Sequence, residues 1–294
     1  MTTWHLITGE YPPQPGGVSD YSRLLAAALA AAGDDVHVWT TVCAGIGRDD
    51  HGVAVHRLPG HFGPRALSRL GRALAAAPDG RLLVQYVPHA FGYKAMNLPF
   101  CLWLFTRRRA VIDVMFHEVA FPLRRRQPLR HNLLALVERM MALVVARSAA
   151  RIFVASPAWE GMLRPYLSRG RAFTWLPVPS NIPVVEDAAG ISAMRNRYAA
   201  DGGLIIGHFG TYAPEIAQAL ARLLPVLMRD HERLGVVLAG GGSIEFRDRL
   251  MRDNPELASR LFATGQLDPA PLSLVLSACD LMVQPYPDGV STRR

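Results

Sequence analysis

Short apolar runs alternate with stretches of helical period along the chain of 294 residues. Residues 4–8, 36–40, 53–58, 82–87, 111–116 and 151–155 read as short buried strands. Between them Val18, Tyr21, Leu25 and Leu29 recur at helical spacing, and Gly33 supplies a stop. Residues 65–77 and 132–149 give two more helices. Near-continuous apolar strands alternating with helices predict a parallel sheet covered on both faces.

The texture changes near residue 173. Phe173-Thr174-Trp175-Leu176-Pro177-Val178-Pro179-Ser180-Asn181-Ile182-Pro183 carries three prolines and no regular period, which marks a linker. A second α/β pattern follows. Residues 204–208 form a strand, Phe209-Gly210-Thr211-Tyr212-Ala213-Pro214 a loop, and Ile216, Leu220, Leu223, Leu224 and Leu227 one face of a helix. Residues 236–239 form a strand ending in Gly240-Gly241-Gly242-Ser243, and 261–263 and 280–284 complete the pattern. The expected organisation is an α/β chain of two Rossmann-like domains, 1–178 and 203–294, joined by a linker at 179–202.

Composition sharpens this. Half of the residues are hydrophobic and 19% are charged, which excludes a disordered chain. Cys43, Cys101 and Cys279 are too scattered for a disulfide framework or a zinc cluster and fit a reducing compartment. The net charge is +8, unevenly placed: residues 1–178 hold 21 basic and 11 acidic side chains, the remainder 11 and 13. Lys94 is the one lysine, a bias that fits GC-rich codon usage. The arginines are not interleaved with aromatics in a nucleic-acid motif, so no nucleic-acid partner is expected. The N-terminus has no basic segment before an apolar one, and no run reaches the length of a membrane span. The expected location is the cytoplasm, with the option of a membrane's inner face. Arg107-Arg108-Arg109 follows an apolar run and Arg124-Arg125-Arg126 precedes an apolar helix. With the basic excess of the first domain, they predict docking on anionic lipid through that domain, the bland alternative being a solvated face beside a buried helix.

Three glycine-bearing turns follow strands: Gly16-Gly17, Gly210-Thr211 and Gly240-Gly241-Gly242-Ser243. A glycine at the carboxyl end of a strand lets the backbone approach a phosphate, and the next helix offers free N–H groups. Tight turns also need glycine for geometry alone. None of the three is a G-x-G-x-x-G fingerprint or a Gly-Lys-Ser/Thr P-loop, which argues against a nicotinamide dehydrogenase, a kinase or an ATPase. No Asp-x-Asp pair is present, and no metal is expected.

The stretch Tyr11-Pro12-Pro13-x-x-Gly16-Gly17-Val18-Ser19-Asp20-Tyr21, followed by Gly33-Asp34-Asp35-Val36-His37-Val38, resembles the N-terminus of GT-B glycosyltransferases. The similarity is to the large retaining family 4 type, with its sucrose synthases and bacterial mannosyltransferases. Gly207-His208-Phe209-Gly210-Thr211, Val236-Val237-Leu238-Ala239-Gly240-Gly241-Gly242 and Phe262-Ala263-Thr264-Gly265-x-Leu267 resemble that family's donor domain. So does Leu272-Ser273-x-x-Leu276-x-x-Cys279-Asp280-Leu281-x-x-x-Pro285.

The resemblance implies two Rossmann-like domains facing a cleft, the second one incomplete. It implies a retaining transfer of sugar from a UDP- or GDP-linked donor to a lipid-linked or polysaccharide acceptor, with no separate cofactor. Gly16 and Gly17 would face the donor, Asp20 and Tyr21 the acceptor side, and His117 the transferred sugar. Glu118 would be a partner of His117 or simply a helix-start carboxylate. Gly210, Thr211, Gly240 and Gly241 would lie at the nucleotide. Asp288-Gly289 aligns with the first Glu-Gly of an E-x7-E motif, with Ser291 or Thr292 facing sugar and phosphate. Arg293 and Arg294 could supply the cations that the helix after Pro214, with Arg222 and no lysine, does not. The second Glu would fall beyond residue 294, so a truncated product is expected. A non-catalytic binding or scaffold subunit is the alternative, and a nucleotide-sugar epimerase on the same fold a third reading.

Overall fold

The computed structural model describes residues 1–14, 16–44, 52–77, 79–107, 110–199 and 202–285. The chain divides into two compact units, Met1–Pro179 and Ser180–Arg294.

The first unit holds a seven-stranded sheet. Its strands are β1 (Thr3–Thr8), β2 (Asp35–Thr41), β3 (Val53–Leu58), β4 (Arg81–Tyr86), β5 (Ile112–Phe116), β6 (Arg151–Val154) and β7 (Phe173–Trp175), in the order β3-β2-β1-β4-β5-β6-β7. Every neighbouring pair is parallel. The helices are α1 (Gly17–Ala31), α2 (Pro64–Ala76), α3 (Leu98–Thr106), α4 (Leu129–Ser148) and α5 (Pro157–Leu163). Alternate strand residues serve opposite faces. Leu6, Val36, Val38 and Leu83 pack with Leu25 and Leu29 of α1. Ile7, Val84, Tyr86, Val114 and Phe116 pack against Leu70 of α2, Phe100 of α3 and Met141 of α4. Burial on both faces is why these strands read as unbroken apolar runs. Gly33, at φ +89°, follows the C-cap of α1, a left-handed conformation natural to glycine at that place.

The second unit holds β8 (Ile205–Phe209), β9 (Gly235–Ala239), β10 (Leu261–Gly265) and β11 (Leu281–Met282), parallel and in the order β10-β9-β8-β11. Its helices are α6 (Ala188–Tyr198), α7 (Pro214–Asp230), α8 (Ser243–Asp253) and α9 (Pro269–Ser277). Leu220, Leu224 and Met228 of α7 and Phe246 and Leu250 of α8 pack on Val236 and Leu238.

The proline-rich join differs from the linker expected at 179–202. Residues Phe173–Trp175 add β7 to the first sheet. Residues Ala188–Tyr198 form α6, started by the Asp187 carboxylate, which accepts from the Gly190 N–H at 2.9 Å. Tyr198 then packs with Ile205, Val237 and Val275. Half of the apolar residues of helix α6 are alanines spread around it, so its periodic signal is weak, and its cap and the packing of Met194 and Tyr198 define it. No described helix is long and apolar enough to cross a membrane.

In both sheets the strand order reverses beside the first strand, between β1 and β4 and between β8 and β11. Ligands of open α/β sheets bind outside the carboxyl ends of the strands at such switch points. Asn97 secures the first of these regions. Its buried amide donates to the carbonyls of His61 (3.1 Å), Phe62 (3.4 Å) and Phe91 (2.8 Å), and its oxygen accepts from Phe100 N (3.0 Å) to cap α3. Removing it leaves buried carbonyls without donors and the helix uncapped. Asn97→Ala is expected to destabilise the protein by about 2–4 kcal/mol in denaturant unfolding. Asn97→Asp, which keeps the cap and loses the donors, should still be clearly destabilised; wild-type stability in both would refute this role.

Candidate functional site: two strand-end crevices

At the first switch point three loops meet. Glu10 follows β1, His89 follows β4 on a short 3-10 turn, and Glu118 follows β5. His89 Nε2 lies 3.5 Å from Glu10 Oε1, and its Nδ1 lies 3.6 Å from Glu118 Oε2. The hydrogen bond with Glu10 pushes the His89 pKa up, burial opposes it, and the Glu118 charge adds to it. Glu138, reaching in from α4, is buried and accepts from the Phe121 N–H. Burial pushes its carboxyl upward against that hydrogen bond, and Glu118 adds to the rise. The crevice is thus acidic, with one imidazole among three carboxyls.

His117 stands beside it and is held on every side. Its backbone N–H donates to the Tyr86 carbonyl (3.1 Å), and its own carbonyl accepts from Trp159 Nε1 (2.9 Å). Its ring Nε2 sits 2.7 Å from Gln85 Oε1, so the proton belongs on Nε2. The edge of the Tyr21 ring meets it at 4.9 Å. Both His117 and Gln85 are buried. Gly16 caps α1 without a side chain, and a Cβ on it would come within 2.8 Å of Glu10 Oε2. Gly17 and Asp20 lie in the first turn of α1, where Asp20 N donates to the Gly16 carbonyl at 3.0 Å. Tyr21 and His117, and Gly16 and Glu10, are therefore brought together. The helix-start reading of Glu118 is corrected: α4 begins only at Leu129, and the carboxylate faces His89.

At the second switch point the loops after β8 and β9 touch. Gly240 has φ +105°, and a Cβ there would stand 2.2 Å from the Gly210 carbonyl oxygen. Only glycine permits that approach. Gly210 N donates to Ala239 O (3.2 Å) and Gly240 N to Gly265 O (3.0 Å), so three strand ends are stitched side by side. Gly242, at φ +86°, caps α8, while a side chain at Gly241 would meet nothing within 4 Å. Thr211 is exposed just before α7.

His208, the fourth residue of β8, is buried beneath Gly210. Its Nδ1–H donates to the Val283 carbonyl at 2.8 Å, across the switch point from β8 to the residue after β11. Its Nε2 is buried with no partner among the described residues. Tyr212 meets the ring edge-on at 5.1 Å, stacks on Phe246 and donates its hydroxyl to Ala239 O at 3.3 Å. Burial lowers the His208 pKa, opposed by the Val283 carbonyl, so the ring is neutral at pH 7. Asp288, Gly289, Ser291, Thr292, Arg293 and Arg294 lie outside the described residues, as do Arg108 and Arg109. Among the described residues no cluster of three or more His, Cys, Asp or Glu could hold a metal ion.

No protein-family model and no curated protein matches the sequence. Solved structures do. Sucrose-phosphate synthase from Thermosynechococcus elongatus superposes with a TM-score of 0.66 at 18% identity, over 96% of this chain and 75% of that one. Anabaena Alr3699/HepE in complex with UDP gives 0.65 at 16%, over 96% and 73%. This chain has the GT-B fold. A UDP-N-acetylglucosamine 2-epimerase from Listeria monocytogenes, described as putative, also superposes, with a TM-score of 0.53 at 12% identity over 96% and 73%. At these identities the likeness is one of architecture, and the GT-B architecture serves more than one reaction.

In this GT-B chain Glu10, Gln85, His89 and His208 complete the two crevices, although none was assigned a role from sequence. His208 sits inside one of the motifs that signal the fold and Glu10 immediately before another, and their position one or two residues from a strand end was the available clue. Gln85 and His89 lie in ordinary strand and turn sequence with no signal.

The contact between Gly240 and Gly210 makes a test. Gly240→Ala is expected to cost about 2–3 kcal/mol in denaturant unfolding, from the clash and the positive φ. Gly241→Ala should stay within about 0.5 kcal/mol of wild type. Equal effects at the two positions would contradict the geometry.

Proposed function

We propose that this GT-B chain is a retaining glycosyltransferase that moves a sugar from a nucleoside-diphosphate sugar to a lipid-linked or polysaccharide acceptor. The observation that carries the reading is the stitched Gly210–Gly240 pair at the second switch point, which brings bare backbone to the carboxyl edge beside the starts of α7 and α8. A diphosphate leaving group develops charge as the sugar departs, and N–H groups aimed from helix starts stabilise it. Among the similar structures HepE binds UDP-glucose, which supports a uridine nucleotide as the first donor to test.

In this reading Gly16, Gly17, Gly210, Thr211, Gly240 and Gly241 line the donor, His117 contacts the transferred sugar, and Asp20, Tyr21 and Glu118 serve the acceptor side. Asp288, Gly289, Ser291, Thr292, Arg293 and Arg294 are assigned to the sugar and diphosphate from sequence alone. The acidic crevice of Glu10, His89 and Glu118 supports a hydroxyl-rich acceptor, because carboxylates accept hydrogen bonds from hydroxyls. The likeness to a 2-epimerase favours one second reading, epimerisation of a UDP-N-acetylhexosamine. A donor screen with UDP-, GDP- and ADP-sugars separates the readings. Expected are hydrolysis or transfer with one donor and a loss of roughly 10²-fold in His117→Ala. Nucleotide binding without turnover supports a binding subunit instead, and acceptor-independent change at the sugar supports an epimerase.

We also propose that the first unit docks on anionic lipid. On α4, Leu129, Leu133, Leu136 and Met140 form one stripe and are 86%, 61%, 51% and 54% exposed. Arg124, Arg125 and Arg126 lie at its start, tied to the helix where Arg124 N donates to Asn132 Oδ1 (3.2 Å). An apolar stripe beside cations suits a bilayer surface, where each basic residue contributes about 1 kcal/mol. Co-sedimentation with anionic vesicles should weaken with salt and in R124S/R125S/R126S. Binding indifferent to lipid charge and salt would overturn this assignment.

A further inference from the structure

We propose that His208 is a side chain of the second unit that answers the negative charge of a nucleoside diphosphate, taking up a proton at Nε2 as the diphosphate binds. This rests on the donor-binding reading above. It starts from an anomaly: a buried imidazole whose Nδ1–H is committed to Val283 and whose Nε2 lone pair has no partner among the described residues. Buried polar atoms are ordinarily satisfied. Here the unsatisfied atom is at the switch point itself, because the Val283 hydrogen bond spans β8 and β11. It also faces the glycine loop, 3.7 Å from where a Gly210 Cβ would stand. Glycine leaves no side chain between the imidazole and the loop.

The charge balance of that edge gives the orphan atom its use. Segments 209–215, 240–245 and 264–268 contain no lysine or arginine. They do contain Glu215 and Glu245, in the first turns of α7 and α8, and Asp268 at the start of α9. A diphosphate arriving there meets N–H groups and helix dipoles, but also these carboxylates. Among the described residues of these strand ends, His208 beneath the loop is the side chain that can become a cation. The groups that face it are the Tyr212 ring from the entry to α7 and the Val283 carbonyl, and neither carries a formal charge at pH 7. The free protein therefore keeps His208 neutral, and an anion above it makes the imidazolium favourable. The proton comes from solvent, Nε2 becomes a donor, and Nδ1–H stays on Val283. Donor binding is thereby coupled to pH, tightening as the pH falls.

Calorimetry of UDP binding to the full chain, run at pH 7 in two buffers of different ionisation enthalpy, measures the proton directly. Net uptake is expected with UDP and none with uridine, which lacks the phosphates. Between pH 8 and 6.5 the Kd for UDP should tighten, approaching about tenfold per pH unit if a full proton is coupled. His208→Gln, neutral throughout, should lose that slope and keep only the part due to the terminal phosphate of UDP. UDP binding with no proton uptake, or an unchanged slope in His208→Gln, overturns the proposal while leaving the donor reading intact. No binding of UDP, GDP or ADP at any pH overturns both. The buffer comparison needs only the wild-type chain, so a His208 variant that fails to fold does not shield the proposal.

Discussion

The parallel hydrogen bonding of the strands governs everything else in this molecule. Parallel neighbours cannot be joined by a tight hairpin, so each strand must be followed by a crossover that covers the sheet. All strands of a sheet then end at the same edge. Where the order reverses, two crossovers leave in opposite directions and open a crevice that no helix fills. The chain does this twice, at β1/β4 and at β8/β11. Each crevice is bridged by a histidine: His89 reaches Glu10 in the first, and His208 reaches the Val283 carbonyl in the second.

The two histidines show how surroundings divide one side chain into two kinds of group. His89 is half-open to water and flanked by Glu10 and Glu118, so the charged form gains. His208 is sealed beneath Gly210 among Tyr212, Leu238 and Val283, so the charged form loses. Histidine sits close enough to neutrality for either outcome, which a carboxylate or an arginine does not. In the proposed reading the acidic first crevice takes hydroxyls and the second takes an anion.

Most of the sheet was legible because burial on both faces writes strands as apolar runs, as at 82–87 against β4 and at 111–116 against β5. What was illegible lacked that burial. Helix α6 rests on the Asp187 cap and Tyr198, and β7 is three residues on an edge after Arg171. Glu118 looked like a helix start because an acid before an apolar helix has that pattern, yet ten residues separate it from Leu129, the intervening segment being held to α4 by Glu138, Arg139 and Asn132. The site partners were illegible for a different reason: Gln85 meets His117 from a neighbouring strand 32 residues away, a relation that local pattern does not contain.

The glycines make the sharper point. Gly240 is the residue that most resembles a phosphate motif, and the Gly210 carbonyl 2.2 Å from its missing Cβ already demands it. A packing need therefore fixes glycine at that position, and the donor reading draws on the backbone it leaves bare rather than on the glycine pattern itself. The same is not true of His208. Packing at that place would be served by any apolar side chain of similar size, and an imidazole with a buried, unanswered Nε2 is a cost to the fold. A group that the fold tolerates at a cost, placed under a loop that the fold requires for its own reasons, carries more functional information than the glycine pattern above it.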